Sequence, residues 1–178
     1  MAKMCGNGAD FALVKQDRSR TIVGYELRQL EGSALSEWHE VYFPRKVVDL
    51  PSIEQVREAV EDDINAQTDA KILNGYEFTP DGEDQPITVW LSKENQSNFK
   101  AKYDLHFTKP EALTFPTIYK IAEDDDHNAV FEVFQNFEEL EAFYLGGIAY
   151  IEQCYQAGWQ EKGGIDWTPY EDYFKTEE

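Results

Sequence analysis

Alternating apolar and polar positions dominate the N-terminal third of the chain. Val23, Tyr25 and Leu27 occupy every second position of one segment, with glycine and glutamate among the residues between them. This period of two is typical of a strand with one buried face. Similar extended segments flank it across turn-forming residues, so the pattern predicts an antiparallel β-meander of three strands: 11–15, 21–30 and 37–43.

Three polar residues stand where helix N-caps belong, each followed by apolar positions of helical period: Ser52, Ser92 and Asn136. Gln55 and Glu139 complete capping boxes behind two of them. The first helix is predicted to end at Asn74–Gly75, either unbroken or with a break near Thr68–Asp69. The last is predicted to end at Gly163–Gly164.

Short apolar segments between these helices predict two β-hairpins. In the first, Tyr76 and Phe78 precede a turn at Pro80–Gly82, and Ile87 and Val89 follow it. The second joins 113–121 to 129–134, and a proline within its first segment indicates an edge strand or a bulge there, at Pro116. The predicted fold class is therefore α+β: an N-terminal antiparallel β-meander followed by a helix–hairpin–helix–hairpin–helix domain.

Two adjacent glycines, Gly146 and Gly147, lie inside the last helical pattern. Glycine in a helix interior costs about 1 kcal/mol relative to alanine. The pair therefore predicts close packing of another backbone against this helix, with a kink as the alternative.

The pattern divides the chain into three segments. Residues 1–50 form the meander, a candidate attachment module; residues 51–164 form the α+β domain; and residues 165–178 form an aromatic, acidic C-terminal arm. Aromatic side chains are favoured anchors at protein interfaces. The arm is expected either to fold back on its own domain or to dock on a neighbouring subunit. The predicted partner-binding residues are Trp38, Tyr42, Trp167, Tyr170, Tyr173 and Phe174.

Composition indicates a folded but strongly acidic chain. Its 178 residues are 42% hydrophobic and 14% aromatic, which is above the range of disordered acidic proteins. The 35 acidic residues exceed the 16 basic ones and give a net charge of −19. Nucleic acid and anionic membranes attract basic surfaces, so we expect neither as a partner. The acidic surface either keeps the protein soluble or meets a basic partner.

Candidate chemistry is sparse. The histidines (His39, His106 and His127) lie far apart, and Cys5 and Cys154 form no C-x-x-C pair, so the sequence predicts no metal site, no disulfide and a reducing compartment. The N-terminus lacks the apolar region of a signal peptide, and no segment is apolar for long enough to cross a bilayer. No nucleophile, phosphate-loop or dinucleotide motif occurs, and we expect no catalytic residues and no cofactor.

One loop begins like a calcium-binding EF-hand. Asp124, Asp126 and Asn128 stand at the first three ligand positions, but alanine and glutamine replace the later glycine and glutamate at Ala129 and Gln135. A solvated hairpin turn is the preferred interpretation, with weak calcium binding as the alternative.

Two motifs connect this order of elements to a known family. The segments Lys71–Tyr76 (KILNGY) and Trp90–Phe99 (WLSKENQSNF) resemble an uncharacterised small domain of tailed bacteriophages and prophages, found in tail-fibre and tail-associated proteins. Such domains similarly place a glycine-containing segment before a hairpin and a Trp-Leu strand end before a helix. The likeness covers Ser52 to Trp159; the acidic loop 81–84 and the added meander depart from it.

The resemblance implies a non-enzymatic virion structural protein: a tail or tail-fibre/baseplate adaptor, made in the host cytoplasm and located in the virion tail. Its expected partners are other virion or tail proteins, in a homo- or hetero-oligomer. The charge supports an alternative, an acidic phage-encoded inhibitor or DNA mimic that binds a basic host protein. An enzyme with an unrecognised site is a third hypothesis.

Overall fold

The computed structural model describes residues 2–44, 50–80, 85–123 and 127–175. Within them the protein is a mixed α and β structure with eight strands and four α-helices. The strands are β1 Ala2–Asn7, β2 Val14–Gln16, β3 Arg20–Gln29, β4 Leu35–Pro44, β5 Tyr76–Phe78, β6 Ile87–Val89, β7 Thr117–Glu123 and β8 Ala129–Phe134. The helices are α1 Ile53–Asn74, α2 Lys93–Thr108, α3 Phe137–Gly163 and α4 Thr168–Lys175.

The chain forms two compact units. Unit 1 comprises Met1–Ala66 and Gly158–Glu178, and unit 2 comprises Gln67–Ala157. The boundaries of these units differ from those of the three predicted segments. The predicted boundary after residue 50 falls inside unit 1, and the C-terminal arm belongs to unit 1 with the N-terminal sheet.

Unit 1 contains the predicted N-terminal antiparallel sheet, with one strand more than expected. Its order is β1-β4-β3-β2, so the three predicted strands are neighbours and β1 pairs with the far side of β4. The first strand places Ala2 opposite Glu40 and Asn7 opposite Leu35. The sequence of β1 contains two glycine or asparagine positions and no β-branched residue, which explains why its pattern did not predict a strand.

The core of unit 1 lies between one face of this sheet and α1. Val23, Tyr25 and Val41 on the sheet pack with three residues of helical spacing on α1: Val56, Val60 and Ile64. The register places Val23 directly opposite Val41 and Tyr25 opposite His39. The helix begins with the predicted capping box, in which Gln55 N donates to Ser52 Oγ at 3.3 Å and Ser52 N donates to Gln55 Oε1 at 2.9 Å.

Unit 2 packs two hairpins with α2, α3 and the C-terminal part of α1. β5 pairs with β6 and β7 with β8, both antiparallel, and Trp90 N donates to Ile121 O at 3.0 Å beside the two hairpins. Its core contains the aromatic rings of Phe99, Phe134 and Phe143. The acidic loop 81–84, which includes most of the first predicted turn (Pro80–Gly82), and the start of the calcium-like loop (124–126) lie outside the described residues.

The structure decides between alternatives for α1 and corrects the predictions for Pro116 and for the two glycines of α3. α1 is continuous to Asn74, without a break near Thr68. Pro116 precedes β7 instead of lying within it, because the strand begins at Thr117. A side chain, not a backbone, approaches the two glycines of α3: a Cβ added at Gly146 or Gly147 would lie 3.5 Å from the ring of Tyr76.

Candidate functional site

Two of the six predicted partner-binding residues are buried inside unit 1. Trp38 is 4% exposed and Tyr170 is 5% exposed. The indole of Trp38 donates from Nε1 to Glu40 Oε1 at 3.0 Å, and the Tyr170 hydroxyl donates to the backbone oxygen of Gly24 at 2.9 Å. Because a side chain buried in its own unit presents no surface, we correct the prediction for these two residues.

The other four residues are half-buried in unit 1. The Tyr42 hydroxyl donates to Glu40 Oε2 at 2.8 Å. Trp167 and Phe174 pack against the core of unit 1, and the Tyr173 ring lies 5.3 Å from that of Phe174. The aromatic tail therefore folds back on its own unit, which is one of the two predicted alternatives.

Contacts with α1 hold this tail in place. The guanidinium of Arg57 lies 5.4 Å from the ring centroid of Trp167 and forms an ion pair with Glu171. The Tyr170 ring sits with Val23 and Tyr25 in the same buried group. The structure thus gives the aromatic residues of 167–174 a structural role within unit 1.

A group of titratable side chains meets where β3 bulges, between Tyr25 and Arg28. We call it the acidic cluster; it comprises Tyr25, Glu26, His39, Asp63 and Glu161. The Tyr25 hydroxyl donates to Asp63 Oδ2 at 2.5 Å, and both side chains are buried. Glu26 has a φ of 55°, and its carboxylate lies 3.2 Å from Arg28 Nη2.

Burial sets the protonation of the acidic cluster. Burial, together with the neighbouring Glu161 carboxylate, raises the pKa of Glu26 to about 7, and Arg28 opposes the shift. Burial also lowers the pKa of His39, against the opposing charges of Asp63 and Glu161. The pKa of Tyr25 is raised by burial and by its hydrogen bond to Asp63. Perturbed groups of this kind occur both at functional sites and in structural networks.

The geometry of the acidic cluster favours the structural role. Tyr25 and Asp63 hydrogen-bond to each other inside the packed layer of unit 1, and Glu26 forms an ion pair with Arg28. Across the described residues, no three histidine, cysteine or acidic side chains are placed to hold a metal ion together.

An exposed apolar surface lies on the second hairpin of unit 2. We call it the hairpin face; it comprises Trp90, Ile118, Phe131 and Val133. These side chains are 39%, 60%, 59% and 39% exposed, respectively. Ile118 stands directly opposite Val133, and Phe131 stands opposite Lys120. The Lys120 ammonium lies 5.9 Å from the Trp90 ring centroid, so Trp90 is part of the same surface.

The opposite face of this hairpin is buried. Thr117, Tyr119 and Ile121 of β7 and Phe134 of β8 point into the core of unit 2. The hairpin is therefore apolar on both faces, although within the described residues only one is covered. Sheets of this composition are typically covered on both sides.

The signal for this surface was present in the sequence of β8, AVFEVF. Apolar residues occur at both parities of the strand, which differs from the alternation of a half-exposed strand. The pattern predicts the strand but does not show what covers its second face.

A second apolar feature of unit 2 lies between α2 and α3. An apolar cleft of about 120 Å³ is lined by Phe99, Phe143, Gly147 and Ile148, with Lys100 among its few polar neighbours. The Lys100 ammonium is 2.5 Å from Asp104 Oδ2. An apolar cavity of about 150 Å³ holds a benzene-sized group, so this cleft has room for a small apolar group only.

Comparison of the chain with protein-family models, with curated proteins and with solved structures finds no match. Within the described part of the chain, none of the helices combines the length and apolar character needed to cross a bilayer.

Proposed function

We propose that this protein is a non-enzymatic component of a multi-protein assembly and that the hairpin face is its principal contact surface. The observation that carries the proposal is the group of four large apolar side chains exposed together on β7, β8 and Trp90. Isolated exposed apolar residues are normal, whereas contiguous ones mark protein contacts.

The energetics favour a contact at this surface. Burial of apolar area contributes about 25 cal/mol per Å², and a half-exposed large side chain therefore contributes about 1 kcal/mol when a partner covers it. Aromatic residues such as Trp90 and Phe131 are enriched among the strongest contacts of interfaces. Lys120 and Glu123 form an ion pair at 2.6 Å beside them and supply a polar rim.

The assembly we propose is the tail of a bacteriophage. This part of the proposal is supported by the resemblance of Lys71–Tyr76 and Trp90–Phe99 to tail-associated domains. The proposal includes the finer fold assignment, which is a helix–hairpin–helix–hairpin–helix domain after the N-terminal sheet. It also includes the role of a tail or tail-fibre/baseplate adaptor. The partners are then other virion or tail proteins, and the chain is located in the virion tail.

The experiment compares two double variants with matched charge. Ile118→Lys with Phe131→Lys disrupts the hairpin face, and Leu27→Lys with Leu35→Lys changes two similarly exposed leucines, at 44% and 46%, in unit 1. Each variant is expressed from a phage that encodes this chain, and its copy number in purified particles is measured by quantitative mass spectrometry. We expect the first variant to be lost from particles at least about tenfold more than the second.

Two outcomes would contradict the proposal. One is equal incorporation of both variants. The other is absence of the unchanged chain from particles together with its recovery in a stoichiometric complex with a basic host protein, which would favour the inhibitor hypothesis.

A further inference from the structure

We propose that the apolar cleft between α2 and α3 binds a neutral small molecule with a single aromatic ring. The residues that line the cleft all belong to unit 2, and none of them is part of the hairpin face. Tyr76, at its floor, begins β5 and lies at the end of the first hairpin away from the loop 81–84. The proposal is therefore independent of the function proposed above.

Gly147 forms part of the cleft wall although packing does not require a glycine there. A Cβ at this position would lie 3.5 Å from the Tyr76 ring and 3.6 Å from Leu91, so an alanine fits. Glycine in a helix interior costs about 1 kcal/mol relative to alanine. The open space beside Gly147 is thus kept at a cost in stability, a trade that is common where a site must bind something.

The lining of the cleft favours an aromatic occupant. Four aromatic rings contribute to it: Tyr76, Phe99, Phe143 and Tyr144. Phe99 and Phe143 already meet edge to face, with centroids 5.0 Å apart and planes at 82°. Aromatic rings attract one another in such arrangements beyond the gain from buried area. A planar ring therefore gains more in this cleft than an aliphatic group of the same size.

The polar groups of the cleft favour a neutral occupant. The Tyr76 hydroxyl donates to Phe143 O at 2.8 Å, and Gln96 Nε2 donates to Leu91 O at 2.6 Å. Lys100 is the charged residue of the lining, and its ammonium is paired with Asp104. A charged occupant would lose hydration without gaining an unpaired opposite charge.

The volume of the cleft limits the size of the occupant. The cleft measures about 120 Å³, and the exposed side chains of Lys100 and Ile148 lie at its open side. An apolar cavity of about 150 Å³ binds benzene. The cleft therefore accommodates one ring, with a small substituent directed to the open side.

The test uses phenol as the probe, because phenol is soluble and remains neutral at pH 7. Cyclohexanol is the control without an aromatic ring, and benzoate is the control with a charge. Each is titrated into the full-length chain and followed by amide and methyl NMR. We expect saturable shifts at Leu91, Gly147 and Ile148 with a Kd for phenol of about 1 mM or lower. Both controls should bind at least about fivefold more weakly.

Two alanine variants separate the cleft from the helix that forms its wall. Gly147→Ala places a methyl group in the cleft, whereas Gly146→Ala places one beside the same Tyr76 ring at a position outside the lining. Both replace a helical glycine by a better helix former, so both should fold. We expect at least about a fivefold loss of phenol affinity in Gly147→Ala and less than about a twofold change in Gly146→Ala.

Equal affinities for phenol and cyclohexanol, or equal affinities of the two alanine variants for phenol, would overturn the proposal. So would phenol shifts at Ile118 and Phe131 in place of the cleft residues, because phenol would then bind the hairpin face. Ile118→Lys with Phe131→Lys should bind phenol as the unchanged chain does. Failure of phenol binding together with loss of that double variant from particles would remove the cleft site and leave the proposed function standing.

Discussion

At the residue scale, unit 1 contains a buried carboxylate, Asp63, that depends on a hydrogen bond from Tyr25. Asp63 is 6% exposed on α1, and Tyr25, which is fully buried on β3, donates to its carboxylate. A buried carboxylate loses its hydration and depends on hydrogen bonds from the protein. This contact ties the sheet of unit 1 to its helix.

We predict that Tyr25→Phe lowers the free energy of unfolding by about 1–3 kcal/mol, since it removes a donor from a buried charged acceptor. Urea denaturation measures the change. Tyr119→Phe is the matched control, because the buried Tyr119 hydroxyl has no hydrogen-bond partner among the described residues. It should be neutral or slightly stabilising, and an equal loss in both variants would contradict the account.

A second prediction at this scale concerns pH. The pKa of Glu26 is raised from its ordinary value of 4.5 to about 7 by burial and by Glu161. Between these values the folded state binds the proton more tightly than the unfolded state, so ionisation of Glu26 reduces stability as pH rises through this window. The pKa of His39 is lowered by burial, so the unfolded state binds the His39 proton more tightly than the folded state. This contribution therefore reduces stability as pH falls.

The comparison of Glu26→Gln with the unchanged protein isolates the Glu26 contribution. We expect the stability advantage of the variant to grow as pH rises from about 5 to about 8, measured by urea denaturation at each pH. Glu37→Gln, at a partly exposed carboxylate on β4 whose pKa is lowered by Lys3, should show no such growth. A constant difference between Glu26→Gln and the unchanged protein would mean that Glu26 is already ionised at pH 5.

At the element scale, the sequence predicted contacts between residues that are close together in the chain, such as helix caps. Ser92 accepts from Asn95 N at 3.1 Å, and Asn136 accepts from Glu139 N at 3.0 Å, as the capping patterns predicted. Contacts between distant residues had no such signal. Tyr25 and Asp63 are 38 positions apart, and Tyr170 and Gly24 are 146 apart, so no sequence period connects them.

The same distinction explains the edge strands β1 and β8. The first strand lies in a glycine-containing N-terminus and is held by pairing with β4, a contact that its own sequence does not encode. For β8, the sequence revealed apolar residues on both faces, but which face the chain itself covers depends on the packing of the whole of unit 2.

The glycines of α3 give a prediction about this element. A Cβ at Gly147 would lie 3.5 Å from the Tyr76 ring and 3.6 Å from Leu91, which is ordinary van der Waals contact. Since alanine is the better helix former, we expect Gly147→Ala to raise the free energy of unfolding by about 0.5–1 kcal/mol in urea denaturation.

Gly75→Ala provides the contrast. Gly75 has a φ of 90°, and an added Cβ would lie 2.0 Å from the backbone oxygen of Val89. It should destabilise the protein by more than about 1 kcal/mol. If Gly147→Ala also destabilised, the spacing between α3 and the Tyr76 ring would be wrong.

At the scale of the whole molecule, a large negative charge coexists with the exposed apolar side chains of the hairpin face on unit 2. The charge of −19 opposes indiscriminate association of the protein with itself. We propose that the hairpin face, whose four side chains are exposed, is the local site at which a specific neighbour gains apolar burial. The aromatic tail, by contrast, completes the core of unit 1.

Covalent footprinting with a photoactivated carbene tests the role of the hairpin face most directly, because it reports the exposure of individual side chains. The labelling is compared between the free chain and the chain in purified particles. We predict that labelling of Trp90, Ile118 and Phe131 falls severalfold in the assembly, while labelling of Leu27 and Leu35 stays unchanged. Unchanged labelling of the hairpin face, with protection of Leu27 and Leu35 instead, would contradict the account.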